Sequence, residues 1–276
     1  MSISASDVKK LRDQTGAGMM DCKKALNESN GDMEAAIDLL RKKGQKVSEK
    51  RADREANQGV IVSLISDDQK KAVAVELNCE TDFVAKNEEF VQNANDFAKA
   101  IFEQEPADRD ALLKMTVNDL TVEDMLKDLV GKIGEKIDIG QFKIMKSDGQ
   151  IVDYIHPGNQ LCVLAEFESK VENPDIAKDV AMQIAAMNPI AVTRDEVDTT
   201  VLQKEKEIAK EQLINEGKPE EIAEKAAAGK MRRFFEERVL LEQKFVKDGS
   251  LSVQDYLKQS GAPLVTAFVR LQLGGQ

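Results

Sequence analysis

The sequence contains no tryptophan and one histidine, and aromatic side chains make up only 4% of its 276 residues. The three cysteines, Cys22, Cys79 and Cys162, are far apart and odd in number. This spacing argues against a disulfide framework and against a zinc knuckle. Each cysteine lies in an apolar pattern, so we expect three small buried side chains.

Long apolar runs are also missing, since no stretch approaches the roughly 20 residues that a membrane-spanning helix needs. The first seven residues lack the basic and apolar regions of a signal peptide. With 32% charged residues, these features predict a soluble cytoplasmic protein without a membrane partner. The formal net charge of −11 argues against direct nucleic-acid binding, because phosphate contacts need a basic face.

The common catalytic motifs are absent as well. The sequence has no glycine-rich phosphate loop, no HExxH and no GxSxG. The single His156 lies in a Pro-Gly turn, and none of the 50 acidic residues belongs to a pair marked by an apolar setting. We therefore expect a protein that is not an enzyme and that uses no cofactor or metal.

Residues 1–44 are predicted to form an N-terminal module of three short helices. Ser4 and Asp7 make a capping box for the first helix, Asp21 is expected to cap the second, and Gly44 is expected to end the third. The module resembles ubiquitin-associated three-helix folds, which says nothing about function. The apolar stripe of its third helix has the spacing of a packed face and consists of Met33, Ala36, Ile37 and Leu40.

Residues 45–58 are predicted to be a linker. The sequence from Arg41 to Arg54 is dense in Lys and Arg and has almost no apolar side chains. This composition is typical of a solvated helical segment. We expect it to tether the module to the body through a mobile connection.

The first half of the body is predicted at 59–148. It opens with two strands, at 59–65 and 72–78, and continues through a short corner into a helix capped by Asn87. Two more helices follow, at 109–115 and at 122–133, the second of which Gly134 ends.

The second half of the body is predicted at 149–190 and 239–276, where strand, strand, loop and helix recur. A final strand at 264–273 is expected to return to the second sheet. The fold class is therefore α+β, with antiparallel strands and helices in a two-part body.

Residues 191–238 are predicted to be a coiled-coil hairpin inserted in the second half, with its turn at 217–219. Charged residues cover most of both helices, which favours a projecting arm, packed on itself or on another chain. A helical hairpin lying on the body is the alternative. The expected apolar seam consists of Val197, Val201, Ile208, Leu213, Ile222, Ala226, Met231 and Phe234.

The corner between the second strand and its helix joins two rigid elements. Asp82 and Phe83 lie within a very short connection from Thr81 to Val84. A phenylalanine at such a corner either turns back into its own core, which is the commoner arrangement, or projects as a wedge. The equivalent corner of the second half, 168–172, has no aromatic residue. The scaffold therefore does not need Phe83, which favours a role outside its own core.

Two motifs resemble the signatures of a known family. The run ELNCETDFVAK at 76–86 resembles the second signature of the elongation factor Ts family, and LRDQTGAGMMDCK at 11–23 resembles the first. Both runs are long, nearly gap-free and in the expected order. That family exchanges guanine nucleotides on the translational GTPase elongation factor Tu. The alternative is a structural or adaptor protein that acts through the module and the arm.

The resemblance implies that an Asp-Phe pair enters the GTPase domain of elongation factor Tu, displaces its Mg²⁺ ion and shifts its phosphate loop, so that GDP leaves. The pair is Asp82 and Phe83, framed by Thr81 and Val84. One of Met19 and Met20 is expected to lie in the core. The further partner contacts that the resemblance implies are Arg12, Met19, Met20, Lys23, Ile133, Gly134, His156 and Val246.

The last part of the sequence departs from the family pattern. Lys247 lies where the family often has Met after Val, and the additional C-terminal helix of some members is not found in the sequence. The contact of Val246 with the partner is therefore an open expectation, as is self-association through the arm at 191–238.

Overall fold

The structure is a computed structural model that describes residues 3–117 and 119–274. Its fold class is α+β, as predicted, because the strands pair antiparallel and alternate with helices along the chain. The N-terminal helices share a small core of their own. These helices are α1 (Ala5–Thr15), α2 (Met19–Glu28) and α3 (Met33–Arg51).

The start of the module follows the prediction in one helix and departs from it in the next. The capping box between Ser4 and Asp7 is confirmed. The predicted cap of α2 is wrong, because that helix begins at Met19, after Gly18. Asp21 lies in its first turn and forms an ion pair with Lys43 of α3. The likeness of these helices to a ubiquitin-associated module stays a prediction.

The next part of the chain forms a sheet with the strand order β1–β2–β5. The predicted caps Asn87 and Thr121 and the helix end at Gly134 are confirmed. Strand β5 was not predicted. The elements are β1 (Gln58–Ile65), β2 (Lys71–Cys79), α4 (Asp82–Ala85), α5 (Glu88–Gln104), α6 (Arg109–Lys114), β3 (Thr116–Val117), β4 (Leu120–Thr121), α7 (Val122–Ile133) and β5 (Asp138–Lys146).

A second sheet with the order β10–β7–β6 confirms that the final strand returns to it. Short 3₁₀ turns occur at 194–196 and 240–242. The elements are β6 (Gln150–Ile155), β7 (Leu161–Phe167), α8 (Pro174–Met187), α9 (Thr199–Asn215), α10 (Glu220–Arg238), β8 (Lys244–Phe245), β9 (Asp248–Ser252), α11 (Val253–Gln259) and β10 (Val265–Gln272).

The two sheets follow the same plan. In each sheet a hairpin is followed by a helix, and a later strand pairs with the second strand of the hairpin: β5 with β2, and β10 with β7. This confirms the predicted repeat. The sheets pack against each other through an apolar cluster that includes Ile61, Ile151 and the buried Cys162. The helices α5 and α7 cover the outer face of the first sheet, and α8 covers that of the second. Cys22 and Cys79 are buried too, as expected.

The helical hairpin of α9 and α10 has a core of its own. Four small or medium side chains form it, Ala209, Leu213, Ala223 and Ala227. The large residues Val201, Ile208 and Ile222 of the predicted seam are exposed, so that part of the prediction is wrong. The separation of two packed helices depends on the side chains between them. Alanines allow a close approach that isoleucines at the seam would prevent.

Helix α3 connects the module to the body through a contact between two glycines. The predicted end of this helix at Gly44 is wrong, because α3 continues to Arg51 and packs against α7. A Cβ atom added to Gly131 of α7 would lie only 2.6 Å from the Cα atom of Gly44. Beyond this contact, Val47 packs against the core of the first sheet. The predicted mobile tether is therefore a docked helix over residues 45–51.

We predict that Gly131→Ala destabilises the protein by about 1–2 kcal/mol, because the steric cost at Gly44 exceeds the gain in helix propensity. Urea-induced unfolding measures this change. Gly229→Ala in α10 is the matched control, because a Cβ atom there meets nothing within 4 Å and the same substitution should stabilise the helix by up to about 1 kcal/mol. Equal stability of Gly131→Ala and the parent would contradict the close packing of α3 on α7.

Candidate functional site

The corner after β2 places an aromatic ring in solvent. Thr81 caps α4, and its hydroxyl accepts a hydrogen bond from the Val84 N–H at 3.4 Å. Ala85 anchors this single turn in the core, and Phe83, two residues earlier, lies on the opposite side of the helix. The Phe83 side chain is 83% exposed. The commoner inward arrangement is thus wrong for this residue.

The charge beside the ring is fixed by a local ion pair. Asp82 pairs with Lys86 at 2.7 Å, one helical turn away. The hydrogen bond from Lys86 lowers the pKa of the Asp82 carboxyl. Asp82 is therefore ionised at neutral pH, directly next to an exposed apolar ring.

Two acidic residues hold the start of the corner, and we call Glu80 and Glu135 the carboxylate clasp. Glu135 accepts hydrogen bonds from the N–H groups of Glu80 and Thr81 at 3.1 and 3.0 Å. In return, Glu80 accepts a hydrogen bond from the N–H of Lys136 at 2.6 Å. The two segments 80–81 and 135–136 are thereby joined in both directions.

Helix α3 also reaches the carboxylate clasp. Arg51 and Arg54 donate to the Glu80 carboxylate at 2.6 and 3.0 Å. Burial acts to raise the pKa of Glu80, but the hydrogen bonds from Lys136, Arg51 and Arg54 outweigh it and lower the pKa to about 2. Below the clasp, the buried thiol of Cys79 donates to the Thr81 carbonyl at 3.2 Å. Burial, together with the charge of Glu135, raises the pKa of this thiol to about 12.

Two predicted contact residues lie beside the corner. Val84 and Ile133 line one small cleft together with Lys132 of α7. Gly134, which follows Ile133, ends α7 in the left-handed conformation with φ of 80°. The structure thus brings the corner and the end of α7 together, and the contact of these residues with a partner stays a prediction.

The loop of the first signature adjoins this group through Lys132. The Lys132 ammonium pairs with Glu89 at the start of α5. Its side chain also lies against Gly16, where a Cβ atom would collide with it. Gly16 has φ of +66°, so glycine suits this position for its backbone conformation as well. Lys132 therefore lies next to both the loop at 15–18, through Gly16, and the corner, through the cleft that it shares with Val84.

The methionines after this loop are both on the surface. Met19 is 50% exposed and Met20 is 66% exposed, so the expectation that one of them lies in the core is wrong. The buried face of α2 begins at Cys22, whose thiol donates to the Ala17 carbonyl at 3.5 Å. Cys22 is therefore the first buried residue of α2, and the turn that carries Met19 and Met20 lies on the surface of the N-terminal helices. Arg12 and Lys23 are exposed as well.

His156 directly follows β6, and Val246 directly follows β8. His156 is exposed, and its Nδ1 atom lies 3.0 Å from the hydroxyl of Tyr154. Val246 is 51% exposed. The next residue, Lys247, pairs with Asp179 at 2.5 Å. The lysine that departs from the family pattern is thus bound to its own chain.

Sequence reasoning missed three residues that build the site, which are Glu80, Glu135 and Lys132. In the sequence Glu80 is only one residue of the signature at 76–86, and its partners lie 26, 29 and 56 positions away. Helical and strand periodicities report neighbours along one element and carry no signal for such pairs. The position of Glu135 directly after a helix-ending glycine was the one local indication, because a carboxylate there is unfavourable for the helix dipole.

The described residues, 3–117 and 119–274, contain no group of three or more His, Cys, Asp or Glu side chains arranged to hold a metal ion. Within the same residues, no helix combines the length and apolarity needed to cross a membrane.

A strongly exposed aromatic ring on an ordered corner, together with two exposed methionines elsewhere on the surface, is typical of a protein that acts by binding another protein. Comparisons with known proteins identify the family. The family model described as Elongation factor TS matches residues 80–275. The chain belongs to the elongation factor Ts family of translation elongation factors.

Relatives in that family match over nearly the whole chain. Elongation factor Ts of Christiangramia forsetii is 47% identical over 274 residues, covering 99% of each chain. The factor of Prosthecochloris aestuarii is 45% identical over 284 residues, again covering 99% of each chain. That of Amoebophilus asiaticus is 45% identical over 277 residues, covering 99% of this chain and 100% of the relative.

The carboxylate clasp predicts a specific dependence of stability on pH. The pKa of Glu80 is lowered to about 2 from an ordinary value of 4.5. Its contribution to the free energy of unfolding is therefore fully present above pH 4.5 and is lost as the pH falls towards 2. Glu80→Gln lacks this contribution. We expect the difference in stability between the parent and Glu80→Gln, measured by urea unfolding, to shrink between pH 4.5 and 3. A difference that stays constant over this interval would contradict the assignment.

Proposed function

We propose that the chain binds GDP-bound elongation factor Tu and promotes the release of GDP and the entry of GTP. The observation that supports this most directly is the 83% exposure of Phe83, in the segment that resembles the second signature of the family. The chain would make and break no covalent bond in the nucleotide, so the activity is not that of an enzyme. It needs no cofactor of its own.

The proposed mechanism is mechanical. Asp82 and Phe83 enter the GTPase domain of the partner, displace its Mg²⁺ ion and shift its phosphate loop. The Phe83 side chain must keep its orientation while it displaces groups of the partner. The corner has contacts that hold it in place. Thr81 caps the turn, Ala85 anchors it, and the carboxylate clasp joins its start to the segment after α7.

The free energy needed to release GDP requires more contacts with the partner than Phe83 alone can make. A thousandfold loss of nucleotide affinity corresponds to a coupling free energy of about 4 kcal/mol. Full burial of one phenylalanine side chain supplies about 1.5–3 kcal/mol. The wedge alone is therefore insufficient. In this proposal the three-helix module at 1–44 binds through Arg12, Met19, Met20 and Lys23. The body adds Ile133, Gly134, His156 and Val246.

The effects of the factor and of the nucleotide on each other's binding to elongation factor Tu are reciprocal. If the bound factor lowers the affinity of elongation factor Tu for GDP by a given ratio, then bound GDP lowers its affinity for the factor by the same ratio. Entry of GTP into the complex therefore releases the factor, and the free partner can proceed in translation. The arm at 191–238 is not needed for this step of the mechanism.

We predict that Phe83→Ala slows factor-stimulated GDP release by about tenfold to a hundredfold, because the variant cannot bury the ring in the partner. The release of a fluorescent GDP analogue from purified elongation factor Tu measures this rate. The ring is exposed in the free protein, so the melting temperature should change little.

The matched control is Ile222→Ala, which removes an exposed apolar side chain of the arm outside the proposed contact residues. Its exchange rate should equal that of the parent. Normal exchange by Phe83→Ala would contradict the wedge. An absence of acceleration by the parent itself would favour the adaptor hypothesis.

The two methionines give a separate prediction about affinity. We expect the double variant Met19→Ala/Met20→Ala to weaken the complex with nucleotide-free elongation factor Tu by about tenfold or more, because exposed methionines lose apolar contact area on truncation. Isothermal titration calorimetry measures the dissociation constant. An unchanged constant would remove the first signature from the proposed interface.

A further inference from the structure

We propose that Glu135 is a positioning residue that sets the direction of the Phe83 ring. This inference rests on the proposed function, because it assigns to Glu135 a part in the wedge. Glu135 itself does not need to touch the partner. It acts through Thr81, which caps the helical turn that carries Phe83.

The first argument concerns the backbone donors at the end of β2. Strand pairing on β2 stops at Cys79 on one side, opposite Gln58, and at Asn78 on the other, opposite Asp138. The next two N–H groups, of Glu80 and Thr81, lie beyond this ladder. Backbone N–H groups shielded from water need an acceptor. Both donate to the same carboxylate oxygen, Oε2 of Glu135.

The second argument concerns the hydroxyl of Thr81. This hydroxyl donates to Oε1 of Glu135 at 2.7 Å and accepts from the Val84 N–H at 3.4 Å. A hydroxyl has one proton, so the bond to Glu135 leaves its lone pairs free to face α4. Glu135 thereby fixes the orientation of the cap as well as the position of the backbone.

The third argument concerns the length of α4. This helix has four residues, and an isolated helix of one turn is unstable in water because helix nucleation is unfavourable. Its direction must therefore come from its ends. The C-terminal end is anchored by Ala85. The N-terminal end is anchored by Thr81, and Thr81 is held by Glu135.

Glu80 has a different role in the same clasp. Its carboxylate accepts hydrogen bonds from Lys136 of the body, from Arg51 at the end of α3 and from Arg54, which follows that helix. Its side chain makes no described contact with the cap. Glu80 thus joins the module to the base of the corner, whereas the Glu135 carboxylate bonds to both the N–H and the hydroxyl of Thr81, which caps α4.

The test is a double-variant cycle on GDP release from elongation factor Tu. We expect Glu135→Ala to slow stimulated release by about tenfold, a size that follows from the loss of hydrogen bonds to a charged group. Glu135→Gln should recover only part of the rate, because its amide oxygen can still accept from both N–H groups while its NH2 group cannot accept the proton of the Thr81 hydroxyl. In the Phe83→Ala background, Glu135→Ala should have no further effect, since there is no ring left to position.

Hydrogen exchange in the free proteins provides a structural readout. The amides of residues 81–84 should exchange faster in Glu135→Ala than in the parent, while those of the strands β1 and β2 should be unchanged. If Glu135→Ala does not fold, Thr81→Val replaces it, because this variant removes the hydroxyl that both bonds to Glu135 and caps α4 and keeps the two backbone N–H bonds to Glu135.

The outcomes separate the inference from the proposed function. Normal exchange by Phe83→Ala would refute the wedge itself. Slow exchange by Phe83→Ala with a normal rate for Glu135→Ala would overturn only the positioning role. An additive loss in the double variant would also overturn it, because Glu135 would then act independently of the ring.

Discussion

The structure depends on how the chain satisfies two backbone N–H groups just beyond the end of a strand. Because the ladder of β2 stops at Cys79, the corner at 80–81 would be an unpaired end of the sheet. The carboxylate of Glu135 supplies the missing acceptor from a segment more than fifty residues later. The reciprocal bond from Lys136 to Glu80 closes the same junction from the other side. An exposed ring can therefore stand on a corner that is itself well ordered.

The two sheets share one topology but differ at the corner that follows the second strand of each hairpin. Both hairpins are followed by a helix, and in both sheets a later strand pairs with the second strand of the hairpin. Only the first corner carries an aromatic residue. The second corner, 168–172, connects its strand and helix without one, so the aromatic ring is an addition to a fold that does not require it. The same topology thus carries an exposed aromatic ring at one corner and no aromatic residue at the other.

Local features of the sequence predicted most of the elements, whereas contacts between distant segments could not be predicted. The caps at Ser4, Asn87 and Thr121 depend on residues within one turn, so they were found. The continuation of α3 beyond Gly44 depends on Gly131, and the seam of the arm depends on which helix faces meet. The exposure of Phe83 follows from the comparison of the two corners and from the family resemblance, and no local pattern indicates it. The partner of Thr81 could not be found, because nothing near position 81 points to position 135.

The length of α3 has a consequence for the distance between the N-terminal helices and the corner. The 19 residues of this helix span about 28 Å at 1.5 Å per residue. Its first half belongs to the core of the N-terminal helices, and its last turn is bonded to the base of the corner through Arg51. One rigid rod therefore sets the spacing between two surfaces that face outward. In the proposed complex, the distance between the contacts of the N-terminal helices and those of the corner is therefore set by one continuous helix.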